Sequence, residues 1–243
     1  NGWAITVMGA RTWGDGYIQG TSFEGYNYFA NISKRINENH QLSLTGFGAP
    51  QQHYQRSGGL TMAEWNNVRK YMKDGMHFSR YNPTYGYDDY GNQNSANYNV
   101  YHKPQISLNH IWQIDHKSSL STTAYVSLGR GYGRTAEPGL NSSYSYTDLT
   151  YGSNYGTLAH TFRREDGTFD YGAVEFANSP NNPIYDPNSD QFEKMYAGSQ
   201  LVICENRNDH NWYGLTSTYS NKFIDKIDFY AGIDVRYYQG KHN

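Results

Sequence analysis

The chain has 243 residues, a formal net charge of −2 and 37% hydrophobic residues, yet 16% of it is aromatic, including 25 Tyr. That apolar share is below the about 45–50% of ordinary soluble domains, while so many aromatics exclude a disordered chain. The near-neutral charge argues against a nucleic-acid partner, which needs a basic face, and the single Cys204 excludes an internal disulfide.

Alternation of apolar and polar residues then predicts strands in chain order. Trp3, Ile5 and Val7 oppose Thr6 and Met8. Tyr26, Tyr28, Ala30 and Ile32 oppose Asn27, Phe29, Asn31 and Ser33. After a turn at Asn37-Glu38-Asn39-His40, Leu42 and Leu44 oppose Gln41, Ser43 and Thr45. A helix is expected next, in the second long connection. Thr61-Met62-Ala63-Glu64 reads as a capping box, Trp65, Val68 and Met72 follow at helical spacing, and Gly75 suits the stop. From Gln105, the residues Ile106, Leu108, His110, Trp112 and Ile114 share one face, and Ser107, Asn109, Ile111 and Gln113 the other. Asp115-His116-Lys117-Ser118 forms a turn into Leu120, Thr122, Ala124, Val126 and Leu128 against Ser119, Ser121, Thr123, Tyr125 and Ser127. Tyr213, Leu215 and Tyr219 then oppose Gly214, Thr216, Thr218 and Ser220. After a turn around Lys222 to Asp225, Ile227, Phe229, Ala231, Ile233, Val235 and Tyr237 oppose Asp228, Tyr230, Asp234, Arg236 and Tyr238.

Seven strands result, and their connections alternate. Three are turns of about four residues. The other three run to roughly 14, 55 and 80 residues, whereas compact soluble domains rarely hold structureless loops beyond about 12–15. Short turns on one rim and long loops on the other are the habit of outer-membrane barrels. No run of about 18 apolar residues exists to make a transmembrane helix, but barrel strands escape such a scan. The fold expected is all-β: an antiparallel transmembrane β-barrel portion whose apolar face meets lipid and whose polar face meets the lumen. Asp228, Asp234 and Arg236 fall on the lumen side, the last two satisfying each other or neighbouring strands. Trp3, Trp112, Tyr26, Tyr28, Tyr213 and Tyr237 fall near strand ends, as an aromatic girdle requires. A soluble β-sandwich with one wet face is the alternative that the loop rhythm disfavours. An odd strand count, two bare edges and an opening directly in strand-like sequence lead us to expect part of a larger barrel.

Three patches carry a family resemblance: Arg11-Thr12-Trp13-Gly14-Asp15-Gly16-Tyr17, the run from Tyr28-Phe29-Ala30 through Ile36-Asn37 to His40-Gln41-Leu42-Ser43-Leu44-Thr45, and Phe47-Gly48-Ala49-Pro50-Gln51-Gln52-His53. They cover about the first quarter of the chain and resemble a TonB-dependent outer-membrane receptor of the large anaerobe type, related in plan to SusC-like starch-utilisation transporters. The resemblance implies a barrel of about 22 strands around a plug domain with a TonB box. Residues 1–243 would then be one portion of the barrel wall, with plug and remainder elsewhere. It implies TonB-energised uptake of a scarce nutrient (glycan, peptide, cobalamin or iron chelate), outer-membrane lipid and TonB as partners, and room for a surface lipoprotein lid. A passive or adhesive surface barrel, or a secreted carbohydrate-binding sandwich, are the competing functions.

The resemblance assigns no binding residues, so candidates come from the loops. Aromatic faces bind sugar rings and apolar ligand surfaces while their hydroxyls hydrogen-bond. Tyr85, Tyr87, Tyr90 and Tyr98, then Tyr144 and Tyr146, are therefore nominated for substrate binding, and self-packing of long loops is the competing role. Trp65 is nominated as part of a lid, against a simple packing role for its helix. Asp186-Pro187-Asn188-Ser189-Asp190 resembles the start of a calcium loop, with Asp186, Asn188 and Asp190 as ligands, but lacks the sixth-position Gly and twelfth-position Glu; Asp88-Asp89 is a lesser candidate of the same kind. His53 reads as a loop hydrogen-bonder, and Gly14-Asp15-Gly16 as turn chemistry. The scattered histidines offer no zinc spacing and no Gly-x-Ser-x-Gly elbow is present, so neither an enzyme nor a cofactor is expected.

Overall fold

The computed structural model describes residues 2–56, 58–73, 75–138, 156–179, 201–224 and 227–243. Its main element is a nine-stranded antiparallel sheet. The strands are β1 (Trp3–Gly14), β2 (Phe23–Arg35), β3 (His40–Gly48), β4 (Gln51–Tyr54), β7 (Tyr98–His102), β8 (Gln105–Gln113), β9 (Ser118–Pro138), β11 (Leu201–Ile224) and β12 (Ile227–His242). Three short strands, β5 (Tyr85–Tyr87), β6 (Gln93–Ser95) and β10 (Phe169–Asp170), form a second small sheet above it.

The nine strands lie on seven tracks. β3 and β4 both pair with β2, and the register is unchanged across the break between them. The same holds for β7 and β8 against β9. Each break carries a proline, Pro50 or Pro104, which has no N–H for the ladder. Their carbonyls still accept, from Tyr26 N at 2.9 Å and Leu128 N at 3.2 Å. The seven strands expected from alternation are these seven tracks, in the same order from β1 to β12.

The lower-rim turns follow from side-chain chemistry. In the first, Asn37 Oδ1 accepts from the N–H of Asn39 and of His40, both at 2.9 Å. In the second, Asp115 Oδ1 accepts from Lys117 N at 2.7 Å and Ser118 N at 2.9 Å. These Asx turns reverse the chain in few residues. The third turn was expected from Lys222 to Asp225. Instead the ladder continues through a bulge to the pair Ile224–Ile227; Asp225 itself lies outside the described residues.

Register places every alternating set on the face expected for it. One rung runs Ile32, Leu44, Leu108, Ala124, Leu215, Val235 across six tracks. The neighbouring rung of the opposite face runs Asn31, Thr45, Ser107, Tyr125, Gly214, Arg236. Among the described residues no layer packs on the apolar face: Ile5, Val7, Ile233 and Val235 are each more than 60% exposed. A soluble protein rarely leaves a contiguous apolar patch of more than a few hundred Å². Among the described residues, every buried hydrophobic side chain belongs to the excursions or to the top of β9. The sandwich alternative therefore fails, since a sandwich buries one face of each sheet against the other.

The strands run longer than alternation indicates, and the long connections are correspondingly shorter. β9 extends to Pro138 and β11 starts at Leu201. Along Arg130–Glu137 and Glu205–His210 polar and charged residues fall on both faces, so no period-2 hydrophobic signal exists there. Such extensions suit strands that rise beyond an apolar layer with both faces wet.

A lysine at Ala124, on the apolar face, should cost about 2–4 kcal/mol near a bilayer midplane and abolish the folded form in lipid vesicles. A lysine at Ser121, on the polar face of the same strand, should leave it intact. Heat-modifiable electrophoretic mobility reads both, and equal tolerance of the two contradicts the face assignment.

Candidate functional site

The excursions fold into a cap held by two small cores. In the first, helix α1 (Met62–Asn67) begins where Thr61 Oγ1 accepts from Glu64 N at 3.3 Å. The reciprocal half of the capping box is absent, because the Thr61 N–H donates to the Gly156 carbonyl at 2.8 Å. The helix ends at Asn67 and passes into a 3-10 turn over Val68–Tyr71. Gly75, with φ +80°, serves the next bend and not the helix stop. Val68, Tyr81 and Leu158 are buried together, with Leu60, Trp65, Tyr71 and Met72 around them. The second core joins Ala96, Ala136, Phe169, Tyr171 and Val174. Tyr171 and Val174 belong to helix α2 (Tyr171–Ala177), which Asp170 caps by accepting from Ala173 N at 3.0 Å.

Buried polar groups tie the cores together. The Tyr81 hydroxyl donates to the Gly167 carbonyl at 2.6 Å and accepts from Arg163 Nη1 at 2.8 Å. Arg163 also donates to the carbonyls of Ala159 and Pro83, at 2.8 and 3.1 Å. The Tyr171 hydroxyl donates to the Thr84 carbonyl at 2.6 Å and accepts from Ala96 N at 2.8 Å. Asn82, fully buried, donates through Nδ2 to the Gln19 carbonyl at 3.0 Å and so fastens the cap to the β1–β2 connection. Two glycines permit close approaches: a Cβ on Gly86 would strike the Phe169 carbonyl, and one on Gly20 (φ +67°) the Tyr85 ring.

The nominated residues fall in different environments. Tyr85 and Tyr87 sit half-buried on β5 with their hydroxyls hydrogen-bonded to each other. Burial, and then the Tyr87 hydroxyl, push the Tyr85 hydroxyl well above its usual range, so it stays protonated. Tyr90 is 87% exposed, on a turn made by Asp88, whose Oδ1 accepts from Tyr90 N and Asn92 N at 2.9 and 2.8 Å. The Asn92 side chain, then these backbone bonds, hold the Asp88 carboxyl below its usual value. Tyr98 lies on β7 against Tyr54, centroids 4.6 Å apart, and donates to Gln52 Oε1 at 2.7 Å. Trp65 packs into the first core beside Arg56, 5.1 Å from its ring. Tyr144, Tyr146, Asp186, Asn188 and Asp190 lie outside the described residues. Among the described residues no group of three His, Cys, Asp or Glu is placed to hold a metal.

The structure adds a feature that alternation did not single out. On the polar face, beneath the β1–β2 connection, a cavity of about 600 Å³ opens between Thr12, Ile18, Phe23, Asn27, Gln51 and His53. Phe23, Gln51 and His53 reach it because β2 and β4 pair in a register that turns them to one side. Its lining is uncharged apart from Arg56 and Glu24 at the margin. His53 is thus a wall residue, paired with Phe23 and Asn99, and not a loop residue. Lower on the same face, Arg236 donates to both Asp234 oxygens, at 2.8 and 2.6 Å, as expected of that pair.

No protein-family model matches the sequence, and no curated protein matches it. Among solved structures, the chain is similar to the closed form of the ferric-catecholate import receptor Fiu from E. coli K12, with a TM-score of 0.50 over 98% of this chain. The fold is that of a β-barrel wall. Identity is 11%, and the chain spans 27% of the length of that receptor, so the likeness concerns architecture and not ligand. Among the described residues no helix is long and apolar enough to cross a membrane.

Two outcomes test the cap. Tyr81→Phe removes a buried hydroxyl bonded on both sides and should loosen the cap by about 1–3 kcal/mol, seen as faster proteolysis of the excursions while the wall resists. Acid should act similarly. Burial raises the Asp170 carboxyl, but the Arg164 ion pair at 3.1 Å and the Ala173 N–H outweigh it and leave it below its usual value; the Thr168 hydroxyl and N–H do the same for Asp166. A depressed carboxyl stabilises above its unfolded pKa of about 3.9 and loses that contribution as pH falls through the folded value. Cap protection should therefore be constant from pH 7 to 5 and decline below about pH 4.

Proposed function

We propose that this chain is wall and surface cap of an outer-membrane nutrient receptor, with uptake of a scarce ligand energised by TonB through a plug elsewhere in the barrel. The observation that carries the reading is the apolar face, unpartnered among the described residues, continuous over seven tracks and backed by a polar one. Lipid is the solvent that makes such a face stable, since it neither competes for the ladder hydrogen bonds nor penalises exposed Leu and Val. The closed tight-turn rim belongs on the periplasmic side and the cap outside. Likeness of fold to an import receptor supports the same reading.

Within it, ligand would be met first by exposed aromatics of the cap, foremost Tyr90, and then by the polar-face cavity around His53 and Gln51. A cavity lined mainly by amide and aromatic side chains, with one Arg and one Glu at its margin, favours a neutral polar ligand such as a glycan over a highly anionic chelate, in line with a SusC-like plan and a lipoprotein lid. A passive or adhesive barrel is the second reading, favoured by a cap whose tyrosines mostly pack on one another.

Uptake by cells carrying or lacking the parent gene, each with and without functional TonB, separates these. The proposal expects growth on one of glycan, peptide, cobalamin or iron chelate to need both. Surface binding that persists without TonB, with no nutrient accumulated in either strain, contradicts it. Tyr90→Ala should lower ligand affinity by roughly tenfold, about 1.4 kcal/mol, without changing cap proteolysis.

A further inference from the structure

Gly25 faces the polar-face cavity from within β2. A glycine inside a strand weakens it, and marks a bulge, a bend, the close approach of another backbone or the approach of a ligand. The first three do not apply here. Gly25 pairs with Thr12 on one side and Gln51 on the other in unbroken register. Its φ is not in the positive range that marks the turning glycines of this chain. A Cβ built on it would meet the Gln51 Cβ and the Pro50 carbonyl oxygen at 3.5 and 3.8 Å, which are ordinary contact distances. What the missing side chain leaves is room above the strand.

That room is a cell with distinct walls. Thr12 and Gln51 flank Gly25 on its own rung, Asn27 stands below it and Phe23 above. The Phe23 ring reaches over Gly14 on β1, where a Cβ would come within 3.1 Å of its Cε1 and Cζ, so a second glycine sets the ring's position. Lower on the same face polar side chains satisfy each other, as Asn31 does with Thr45 and Thr123 with Asn109. Among the described residues, the side chains of Thr12, Asn27 and Gln51 make no such bond. The two charged residues at the margin are engaged elsewhere: Glu24 with Arg11 at 2.7 Å, and Arg56 with the carbonyls of Ser79 and Tyr81 at 2.7 and 3.0 Å.

We propose that Gly25 is the specificity-determining residue of the cavity: it admits one uncharged pyranose ring, which lies against Phe23 and turns its hydroxyls to Thr12, Asn27 and Gln51. The inference rests on the receptor reading above and deepens it. An aromatic face takes the C–H face of a sugar. Hydroxyl and amide groups both donate and accept, as the hydroxyls of a sugar do. A carboxylate or phosphate ligand would meet no cation but Arg56, which is already engaged. A wholly aromatic ligand would cover three polar side chains without bonding them, at a cost in desolvation. Any side chain at position 25 larger than a methyl group would stand where the ring lies.

The test titrates the full-length protein in detergent micelles with gluco-, manno- and galacto-configured neutral trisaccharides and with a uronic-acid trisaccharide, read by calorimetry and saturation-transfer NMR. At least one neutral trisaccharide should bind, with the strongest transfer at ring C–H protons, and the uronic-acid form should bind roughly tenfold more weakly or worse. Gly25→Val, which fills the cell, and Phe23→Leu, which removes the flat face, should each weaken binding by roughly tenfold. Gly14→Ala should weaken it less, by displacing the Phe23 ring. Gly9→Val, on the opposite face of β1 where a Cβ meets nothing within 4 Å, should change nothing. Phe23→Leu decides alone should Gly25→Val fold poorly. Unchanged affinity in Gly25→Val or Phe23→Leu, equal binding of the uronic-acid form, or binding of none of the four overturns the site. TonB-dependent uptake that Gly25→Val leaves at its original rate overturns the site while the receptor reading stands; absence of TonB-dependent uptake by the unaltered protein overturns that reading itself.

Discussion

A slip of one residue in any ladder of the wall would exchange its two faces. Everything else depends on that register. It is held by backbone hydrogen bonds across seven tracks, by Asx turns at Asn37 and Asp115 that fix where two hairpins begin, and by side-chain bonds that match like with like. On the polar face Asn31 donates to Thr45 at 2.7 Å and Thr123 to Asn109 at 2.9 Å. On the apolar face the hydroxyls of Thr122 and Ser217 bond each other at 2.8 Å, so neither polar atom is left to the apolar surroundings. In a medium without water, each unmet group would cost several kcal/mol, which is why closure by pairing matters more here than a buried core.

The two kinds of stability in the molecule are thus separate. The wall has almost no buried apolar core among its described residues and draws its order from the hydrogen-bonded ladders. The cap is built like a small soluble protein, with Tyr81, Phe169 and Val68 at its buried centres and arginine-to-carbonyl bonds between its strands. The arrangement lets the cap open locally while the wall beneath keeps its register.

How much was legible in the sequence follows from this division. Alternation recorded the faces of all seven tracks, because a period of two is what one-sided contact with an apolar layer demands. The Thr61 cap was legible from its hydroxyl. The upper halves of β9 and β11 were not, since Arg130, Arg134, Arg207 and Asp209 stand where both faces are wet and no alternation survives. The Arg163–Tyr81 node joins residues 82 positions apart, and no local pattern encodes such a contact. The cavity beside His53 was hidden likewise, because it needs the unbroken register from β3 into β4 across Pro50. For Tyr85, Tyr87 and Tyr98 the sequence supplied aromatic rings but not their orientation; packing neighbours decided that.

The most direct test is a nitroxide scan of β9 from Leu120 to Thr135, in a Cys204→Ser background and in lipid vesicles, with oxygen and a water-soluble nickel chelate as relaxing agents. Oxygen should dominate at Leu120, Thr122, Ala124 and Val126 and the chelate at the residues between, with alternation ending near Gly129 and the chelate reaching both faces above it. Equal chelate access at even and odd positions from Leu120 to Val126 would show water on both faces and contradict the account.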